Sequence, residues 1–171
     1  DGSRVILDDY REAYYWLRMN TADDAKVMAW WDYGYQITGI GNRTTLADGN
    51  TWNHEHIATI GYMLSSPQKR AHSLIRHVAD YVLVWAGGMG DDLGKSPHMA
   101  RIGNSVYRDI CSVRDPLCHA FSFMDRSYDK PTPMMKKSLL YNAVMHNVKP
   151  GVRVNPKYFQ EAYTSRHGLI R

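Results

Sequence analysis

Five apolar residues in a row, Tyr81-Val82-Leu83-Val84-Trp85, restrict the fold more than any other feature of the chain. The run is far shorter than the roughly 20 apolar residues of a membrane span, and it is rich in the residues that favour strands. Gly87 and Gly88 follow it as turn residues. The run therefore predicts a short, buried strand.

Segments of helical period surround this run. Apolar residues three or four positions apart predict amphipathic helices over Asp8 to Met19 with an Asp cap, His56 to Leu64, Ser66-Pro67 to about Val78, and Met135 to Val144. Val27 to Trp30 and Arg43 to Leu46 predict two more short strands. The first should stop in a tight turn at Gly34, where glycine gives the backbone latitude. The sequence thus predicts a single mixed α/β domain, helix-rich, with a small sheet of short strands covered by helices.

The composition excludes several classes of protein. Hydrophobic residues make up 44% of the 171 residues and charged residues 22%, which is typical of a globular domain and not of a disordered chain. The net charge of +4 comes from scattered basic residues, so nucleic acid is not an expected partner. The start at Asp1-Gly2-Ser3, without an initiator Met, leads us to expect a piece of a longer protein.

The densest chemical signal is Trp30-Trp31-Asp32-Tyr33-Gly34. Each indole offers one N–H donor and no acceptor, whereas an ionised Asp offers only acceptors. At a strand end, these groups can converge on one small group that both donates and accepts, such as a hydroxyl. A ligand without the hydroxyl would be rejected, since each buried polar atom left unpaired costs about 1–3 kcal/mol. A core Trp pair beside a helix-capping Asp is the plainer alternative, which composition alone favours.

A second signal follows the predicted strand at residues 81–85. Asp92, Lys95 and Met99 share one face if their segment is helical. That face presents a carboxylate, an ammonium and an apolar thioether. Pro97 lies inside the segment and is expected to kink or restart the helix. An exposed Asp–Lys pair beside a core Met is the alternative, since such pairs are common and contribute little.

Three weaker patterns remain. Asp48 to His54 is typical of a polar turn that caps a helix, and no third ligand stands near His54 and His56, so no metal site is expected there. Gly87 to Gly90 follows a strand but matches neither of the usual phosphate-loop patterns. Cys111 and Cys118 permit a disulfide as well as two buried thiols.

Together these residues resemble the catalytic subunit of eukaryotic oligosaccharyltransferase, which moves a lipid-linked glycan to Asn in Asn-x-Ser/Thr. Trp30 to Gly34 matches that family's WWDYG signature in full. Asp92 to Met99 matches its D-x-x-K-x-x-x-M/I pattern, the DK motif, and Asp48 to Asn53 is similar to its DNNTWN segment with Gly49 in place of an Asn. The likeness covers residues 1–105, the expected family core of a C-terminal lumenal domain spanning 1–171, and fades over 106–171.

The resemblance implies roles for the matching residues. The implied acceptor-binding residues are Trp30, Trp31, Asp32, Asp92, Lys95 and Met99. Among them, the two Trp and the first Asp would hold the hydroxyl of the acceptor Ser or Thr, and the Met would touch the Thr methyl. Tyr33 and Gly34 would support the turn, and Tyr35 would lie toward the pyrophosphate of the donor.

The same resemblance implies the surroundings of the domain. The family's reaction requires Mn²⁺ or Mg²⁺ held by carboxylates of a multi-spanning membrane part, so no catalytic residue or metal ligand is expected here, and the fragment alone should be inactive. The implied partners are an acceptor polypeptide with Asn-x-Ser/Thr, a dolichyl-linked oligosaccharide, the transmembrane part of the same chain and other oligosaccharyltransferase subunits. The implied location is the endoplasmic reticulum membrane with this domain in the lumen. There Asn42, in Asn42-Arg43-Thr44, could carry a glycan and a Cys111–Cys118 disulfide is chemically allowed.

Two other classes of function stay open. Gly87 to Gly90 with Asp91 and Asp92 suggests a nucleotide-sugar glycosyltransferase or another phosphate-binding α/β domain. The Trp pair suggests a non-enzymatic peptide-binding module. The first predicts a nucleotide-sized pocket beside the glycine-rich loop, and the second predicts peptide binding that ignores the Ser/Thr hydroxyl.

Overall fold

The computed structural model describes residues 2–50, 52–87 and 91–171, and these ranges contain seven α-helices and three short strands. The helices are α1 Gly2–Asn20, α2 Gly34–Gly39, α3 His54–Ser65, α4 Gln68–Ile75, α5 Asp92–Val106, α6 Pro133–Lys137 and α7 Leu139–Val144. The strands are β1 Lys26–Met28, β2 Thr44–Thr45 and β3 Tyr81–Val82. A short 3₁₀ helix covers Trp31–Tyr33. The mixed, helix-rich α/β class predicted from the sequence is confirmed.

The three strands form one parallel sheet in the order β2-β1-β3. Val27 in the central strand pairs with Thr45 on one side and with Tyr81 on the other. Val27 and Met28 are completely buried, as expected for a small parallel sheet inside a core. Because the strands are parallel, the segments that follow β1 and β3 leave the same edge of the sheet. Those two segments carry the WWDYG signature and the DK motif.

Helix α1 supplies Ala13, Tyr14 and Leu17 to the core, at the predicted helical spacing. It begins at Gly2, well before the predicted start at Asp8, so the expected Asp cap is wrong. Neither Pro nor Gly interrupts residues 3–8, and the helix therefore extends upstream without a break. Within the described ranges, no helix combines the length and the apolar composition that a membrane crossing requires.

The predicted strands are shorter in the structure. The strand expected over residues 27–30 ends at Met28, whose carbonyl accepts a hydrogen bond from the Leu83 N–H at 2.8 Å. Because the central strand ends there, the segment after Val82 loses its partner in the sheet. Residues 84–86 pair instead with residues 169–171, as an antiparallel bridge between Trp85 and Ile170. Likewise, only Thr44–Thr45 of residues 43–46 is a strand.

Two predicted helices also differ in the structure. The helix expected over residues 135–144 is split into α6 and α7, because Ser138 is extended and its hydroxyl accepts a hydrogen bond from the Tyr141 N–H as the cap of α7. Helix α5 runs through Pro97 without a break, so the predicted restart there is wrong. A proline inside a helix removes one backbone hydrogen bond, and the rest of α5 continues around that loss. The helix from Ser66-Pro67 ends at Ile75, three residues before Val78.

Helices α3 and α5 meet backbone to backbone at two glycines. A Cβ on Gly61 would lie 2.3 Å from the Met99 carbonyl oxygen. A Cβ on Gly103 would lie 2.9 Å from the Tyr62 backbone nitrogen. This close approach fixes α5, and with it the DK motif, against the core.

The end of the chain is anchored to α1 by a buried carboxylate. Asp9 is 1% exposed and accepts a hydrogen bond from the Ser165 hydroxyl at 2.5 Å, and its other oxygen lies 2.6 Å from His167 Nδ1. Burial alone would raise the pKa of Asp9, but these hydrogen bonds outweigh burial and hold the pKa below its ordinary value. The loop-rich region after α5 also contains a disulfide between Cys111 and Cys118. Both contacts restrain the segments that lie beyond the expected family core.

Candidate functional site

The WWDYG signature leaves the sheet directly after β1. Trp30 is 4% exposed and packs in the core, whereas Trp31, the first residue of the 3₁₀ helix, is 36% exposed. No hydrogen bond joins the N–H of either indole to a residue in the described part of the chain. The Trp31 side chain is therefore partly exposed, and its N–H has no hydrogen-bond partner among the described residues.

Gly34 is required for space and not for its backbone freedom. Its φ of −58° is ordinary helical geometry, so the predicted need for backbone latitude is wrong. A Cβ at this position would lie 2.4 Å from the Ala47 carbonyl oxygen and 2.5 Å from the Asp48 Cβ. The missing side chain lets the segment around Ala47 and Asp48 pack against the signature.

The polar segment after Asp48 packs beside the Tyr35 ring. A Cβ on Gly49 would lie 2.8 Å from a ring carbon of Tyr35, so the glycine in place of the family's Asn makes room for that ring. Asn53 accepts a hydrogen bond from the Glu55 N–H as the cap of α3, as predicted. Thr51, in the same segment, lies outside the described residues.

Lys95 joins the two motifs. Its Nζ lies 2.6 Å from Asp32 Oδ2 and 2.6 Å from the Tyr33 hydroxyl oxygen. The ammonium also sits over the Tyr33 ring, 4.5 Å from the centroid, where the face of the ring attracts a cation. The Tyr33 hydroxyl donates to Asp92 Oδ1 at 2.7 Å. Both charged residues of the DK motif are therefore bonded to the signature.

Asp92 is completely buried and both of its oxygens are hydrogen-bonded. Oδ1 accepts from Tyr33, and Oδ2 accepts from the Trp85 backbone N–H at 2.9 Å. Burial raises the pKa of Asp92 to about 6, although the two hydrogen bonds and the charge of Lys95 each lower it. Since this carboxyl has no exposed surface, it acts on a ligand only through its neighbours.

Asp32 keeps one oxygen free. Oδ2 pairs with Lys95, whereas Oδ1 is buried and has no hydrogen-bond partner among the residues that the structure describes. The side chain as a whole is 31% exposed. Lys95 has three N–H donors, of which Asp32 and Tyr33 take two. Asp32, next in sequence to the exposed Trp31, thus holds an unpaired but buried acceptor atom, and Lys95 keeps one N–H donor.

A cluster of aromatic rings supports this network from the core. The ring centroids of Tyr10 and Trp85 are 4.9 Å apart, and those of Tyr33 and Trp85 are 5.9 Å apart. Burial and the neighbouring Asp92 carboxylate raise the pKa of Tyr33 far above its ordinary value, so the phenol stays protonated and donates. From the sequence, Tyr33 was expected only to support the turn, and neither Tyr10 nor Trp85 was expected in a site. The position of Tyr10 on the apolar face of α1 was the one available signal.

Not every residue of the predicted site is accessible. Met99 is 0% exposed and lies in the core, so its contact with a Thr methyl stays a prediction that requires the side chain to become accessible. Tyr35, at 52% exposure, is open to a ligand. Asn42 is exposed in a left-handed turn with φ of +49°, and its glycosylation also stays a prediction.

Two cavities lie away from the signature. A cavity of about 500 Å³ opens between α1, α4, α7 and residues 158–163, and one of about 200 Å³ lies near Ser65 and Pro67. Neither is lined by Trp30, Trp31 or Asp32. The glycine-rich residues 88–90 lie outside the described residues. The candidate site is therefore not part of either of these two cavities.

The divalent metal that the resemblance implies does not fit the residues described. Across residues 2–50, 52–87 and 91–171, no group of three His, Cys, Asp or Glu could hold a metal ion. Two carboxylates of the site, Asp32 and Asp92, are already bound to Lys95 and to buried donors. No step of the chemistry below passes through a metal.

Replacing Asp92 by Asn is expected to flatten the pH dependence of stability. The folded protein holds the Asp92 proton more tightly than the unfolded chain, since the pKa is about 6 and not 3.8. The stability that this proton contributes is therefore fully present below pH 3.8, the ordinary pKa. It is lost as the pH rises through about 6, the pKa of Asp92 in the folded protein. The loss is on the order of 3 kcal/mol of unfolding free energy, and Asn has no proton to lose.

The measurement is urea unfolding of the chain and of Asp92→Asn at several pH values between 4 and 7. The unfolding free energy of the parent chain should fall relative to the variant as the pH rises. Asp24→Asn removes one negative charge at an exposed position and serves as the control. Parallel pH profiles for the parent chain and Asp92→Asn would contradict the expectation.

Part of the chain is similar to a known protein family. The model of the STT3/PglB/AglB core domain matches residues 23–89. That range contains the signature, the polar segment after it and the strand β3, and it ends just before the DK motif.

The matching relatives are subunits of one enzyme. The dolichyl-diphosphooligosaccharide–protein glycosyltransferase subunit STT3B of Arabidopsis thaliana is 40% identical over 99% of this chain and 26% of its own length. The STT3 subunit of Saccharomyces cerevisiae is 38% identical over 100% of this chain and 27% of its own length. The chain thus spans about a quarter of the length of the relatives it matches.

The fold is similar to that of a solved structure. The C-terminal globular domain of oligosaccharyltransferase from Archaeoglobus fulgidus superposes with a TM-score of 0.57, covering 95% of this chain and 93% of that one. Sequence identity is 16%, so this likeness describes the fold alone. This likeness and the sequence alignments with the STT3 subunits both extend into residues 106–171, beyond the expected family core.

Proposed function

This chain belongs to the STT3/PglB/AglB family of oligosaccharyltransferase subunits, and from that premise we propose that it is the part that recognises the acceptor Asn-x-Ser/Thr. In the whole protein, a glycan would pass from a dolichyl-linked donor to the acceptor asparagine. The observation that carries the proposal is the Asp32 carboxylate, which is bound to an ammonium beside the exposed Trp31 and whose buried Oδ1 has no hydrogen-bond partner among the described residues.

A Ser or Thr hydroxyl suits these groups in both of its hydrogen-bonding roles. Once the buried Asp32 Oδ1 becomes accessible, the hydroxyl would donate to it and accept from the Trp31 indole or the third N–H of Lys95. Asp32 is held by Lys95 at 2.6 Å, so its free oxygen is oriented before the acceptor arrives. A side chain such as Val would fill the same volume but leave these groups unpaired, which explains selection of the hydroxyl.

The remaining roles are extensions of this proposal. Tyr35, half exposed beside the same segment, would lie toward the pyrophosphate of the donor. Met99 would contact the Thr methyl after it becomes accessible. The catalytic metal, the carboxylates that hold it and the membrane anchor would belong to the rest of the full-length protein. That protein would act in the endoplasmic reticulum membrane with this domain in the lumen, beside other oligosaccharyltransferase subunits.

The proposal predicts which peptides perturb which indole. In the chain with ¹⁵N-labelled tryptophans, millimolar Asn-x-Thr and Gln-x-Thr peptides should shift the Trp31 indole N–H resonance, and Asn-x-Val should leave it in place. Trp52 is 97% exposed and serves as an internal control for non-specific stacking. The Trp31→Phe variant assigns the resonance, because it removes one indole signal and keeps an aromatic ring.

Three outcomes would count against the acceptor site. Equal shifts with Asn-x-Val would favour a peptide-binding module that ignores the hydroxyl. Shifts of Trp52 alone would indicate non-specific stacking on an exposed ring. Shifts of the Trp85 indole with a nucleoside diphosphate, and none of Trp31 with any peptide, would favour a phosphate-binding domain.

A further inference from the structure

We propose that Tyr33 is a positioning residue whose hydroxyl keeps the Lys95 ammonium on Asp32 and away from Asp92. This inference rests on the proposed function, because Asp32 is the residue that would meet the acceptor hydroxyl. Tyr33 itself is 3% exposed and would touch neither acceptor nor donor. Its effect would reach the acceptor through Lys95 and Asp32.

Two carboxylates compete for one cation at this site. Lys95 Nζ lies 2.6 Å from Asp32 Oδ2 and 3.9 Å from Asp92 Oδ1. Lys95 and Asp92 are three positions apart on the same helix, so a small change of the lysine rotamer would bring them together. Asp92 is also the more buried of the two, and an unpaired buried charge attracts a counter-ion strongly. Something must therefore hold the lysine on Asp32.

The Tyr33 hydroxyl explains why Lys95 stays on Asp32, because it forms hydrogen bonds with both Asp92 and Lys95. It donates its hydrogen to Asp92 Oδ1 at 2.7 Å and accepts a hydrogen from Lys95 at 2.6 Å. With the Trp85 N–H on the other oxygen, both oxygens of Asp92 are satisfied without the lysine. The Tyr33 ring, 4.5 Å from Nζ, also attracts the ammonium.

Removal of the hydroxyl should therefore redirect the lysine. In Tyr33→Phe the ring and the packing stay, but Asp92 Oδ1 loses its only donor among the described residues other than Lys95. Lys95 should then move to Asp92, which leaves Asp32 without its partner and free to turn. The acceptor would meet a carboxylate that is no longer oriented.

The test measures KM and kcat for an Asn-x-Thr peptide in the full-length protein. Tyr33→Phe is expected to raise the acceptor KM by about tenfold, the effect of one misplaced charged hydrogen bond, with a smaller change in kcat. Adding Asp92→Asn removes the competing charge, so Tyr33→Phe/Asp92→Asn should recover most of the lost affinity. A residue needed only for packing would show additive or larger losses in the double variant.

A second pair of variants, with and without Tyr33→Phe in a Lys95→Met protein, tests the inference independently if the first double variant folds poorly. In Lys95→Met no cation is left to redirect, so adding Tyr33→Phe should cause no further rise in KM. Tyr62→Phe is the matched control, because the Tyr62 hydroxyl also donates to an Asp, Asp109, on the surface between α3 and the loop after α5. Thermal unfolding of each variant shows whether the loss of affinity follows the loss of stability.

The outcomes separate this inference from the function on which it rests. An acceptor KM within about twofold of wild type in Tyr33→Phe, or no recovery in Tyr33→Phe/Asp92→Asn, would overturn the positioning role. So would a further rise in KM when Tyr33→Phe is added to Lys95→Met. If Asp32→Ala leaves the acceptor KM and kcat unchanged, the proposed function fails. If Asp32→Ala is impaired and Tyr33→Phe is not, only the positioning role fails.

Discussion

Asp32→Ala in the full-length protein is expected to reduce kcat/KM for an Asn-x-Thr acceptor by about 100-fold, since charged hydrogen bonds contribute about 1.5–3 kcal/mol. The substitution removes the one acceptor atom of the site that has no partner in the described structure. It also leaves the Lys95 ammonium with Tyr33 as its remaining hydrogen-bond partner. Asp32→Asn keeps the shape and loses the charge, so its loss should be smaller.

Transfer of glycan to a peptide, followed over a range of peptide concentrations, checks this expectation. Asp24→Ala is the matched control, because Asp24 is an exposed carboxylate in the loop that precedes β1. Its kcat/KM should match that of the wild type. Asp32→Ala with at least half of the wild-type kcat/KM would show that this carboxylate does not hold the acceptor.

Gly61→Leu is expected to lower the unfolding free energy by roughly 3 kcal/mol or more, as overpacking of a backbone contact does. Any side chain at this position meets the Met99 carbonyl oxygen, because the added Cβ would lie 2.3 Å from it. A backbone carbonyl in a helix cannot rotate away as a side chain can. Helix α5 would therefore shift, and Lys95 and Asp92 would shift with it.

Gly61→Ala gives the sharper version of the same prediction. Ala stabilises an ordinary helix interior by about 1 kcal/mol relative to Gly, yet here it should destabilise. Gly39→Ala is the control, since a Cβ at Gly39 has no atom within 4 Å, and this variant should be neutral or slightly more stable. Urea unfolding measures all three variants. A Gly61→Ala variant as stable as the parent chain would contradict the close contact between α3 and α5.

The sequence predicted the fold class because its periodic patterns are local. Tyr14 and Leu17 lie on the face of α1 that packs into the core of the domain, as their spacing indicates. Strands β1 and β3 lie where the apolar runs begin. The ends of the strands depend on partners distant in sequence, which a linear pattern does not contain. Trp85 pairs with Ile170, and the shortness of β3 follows from the end of β1 at Met28.

The candidate site was predictable in part for the same reason. The WWDYG signature and the DK motif were found from residue types and spacing, and the parallel sheet explains why they leave the same edge. The bond from Lys95 to Asp32 spans 63 positions, and the bond from Tyr33 to Asp92 spans 59, so neither follows from local spacing. The buried position of Met99 agrees with the alternative interpretation of the motif, a core Met, whereas the exposed Asp–Lys pair of that alternative is wrong because Asp92 is buried.

The most direct test of the acceptor site is a cycle that changes the protein and the peptide together. Wild-type protein and Asp32→Ala are each assayed with Asn-x-Thr and with Asn-x-Val, which replaces the hydroxyl by a methyl of similar size. If Asp32 meets that hydroxyl, the preference for Thr over Val should fall by about tenfold or more in Asp32→Ala. An unchanged preference in the variant would show that the hydroxyl is recognised elsewhere, and the account of this site would be wrong.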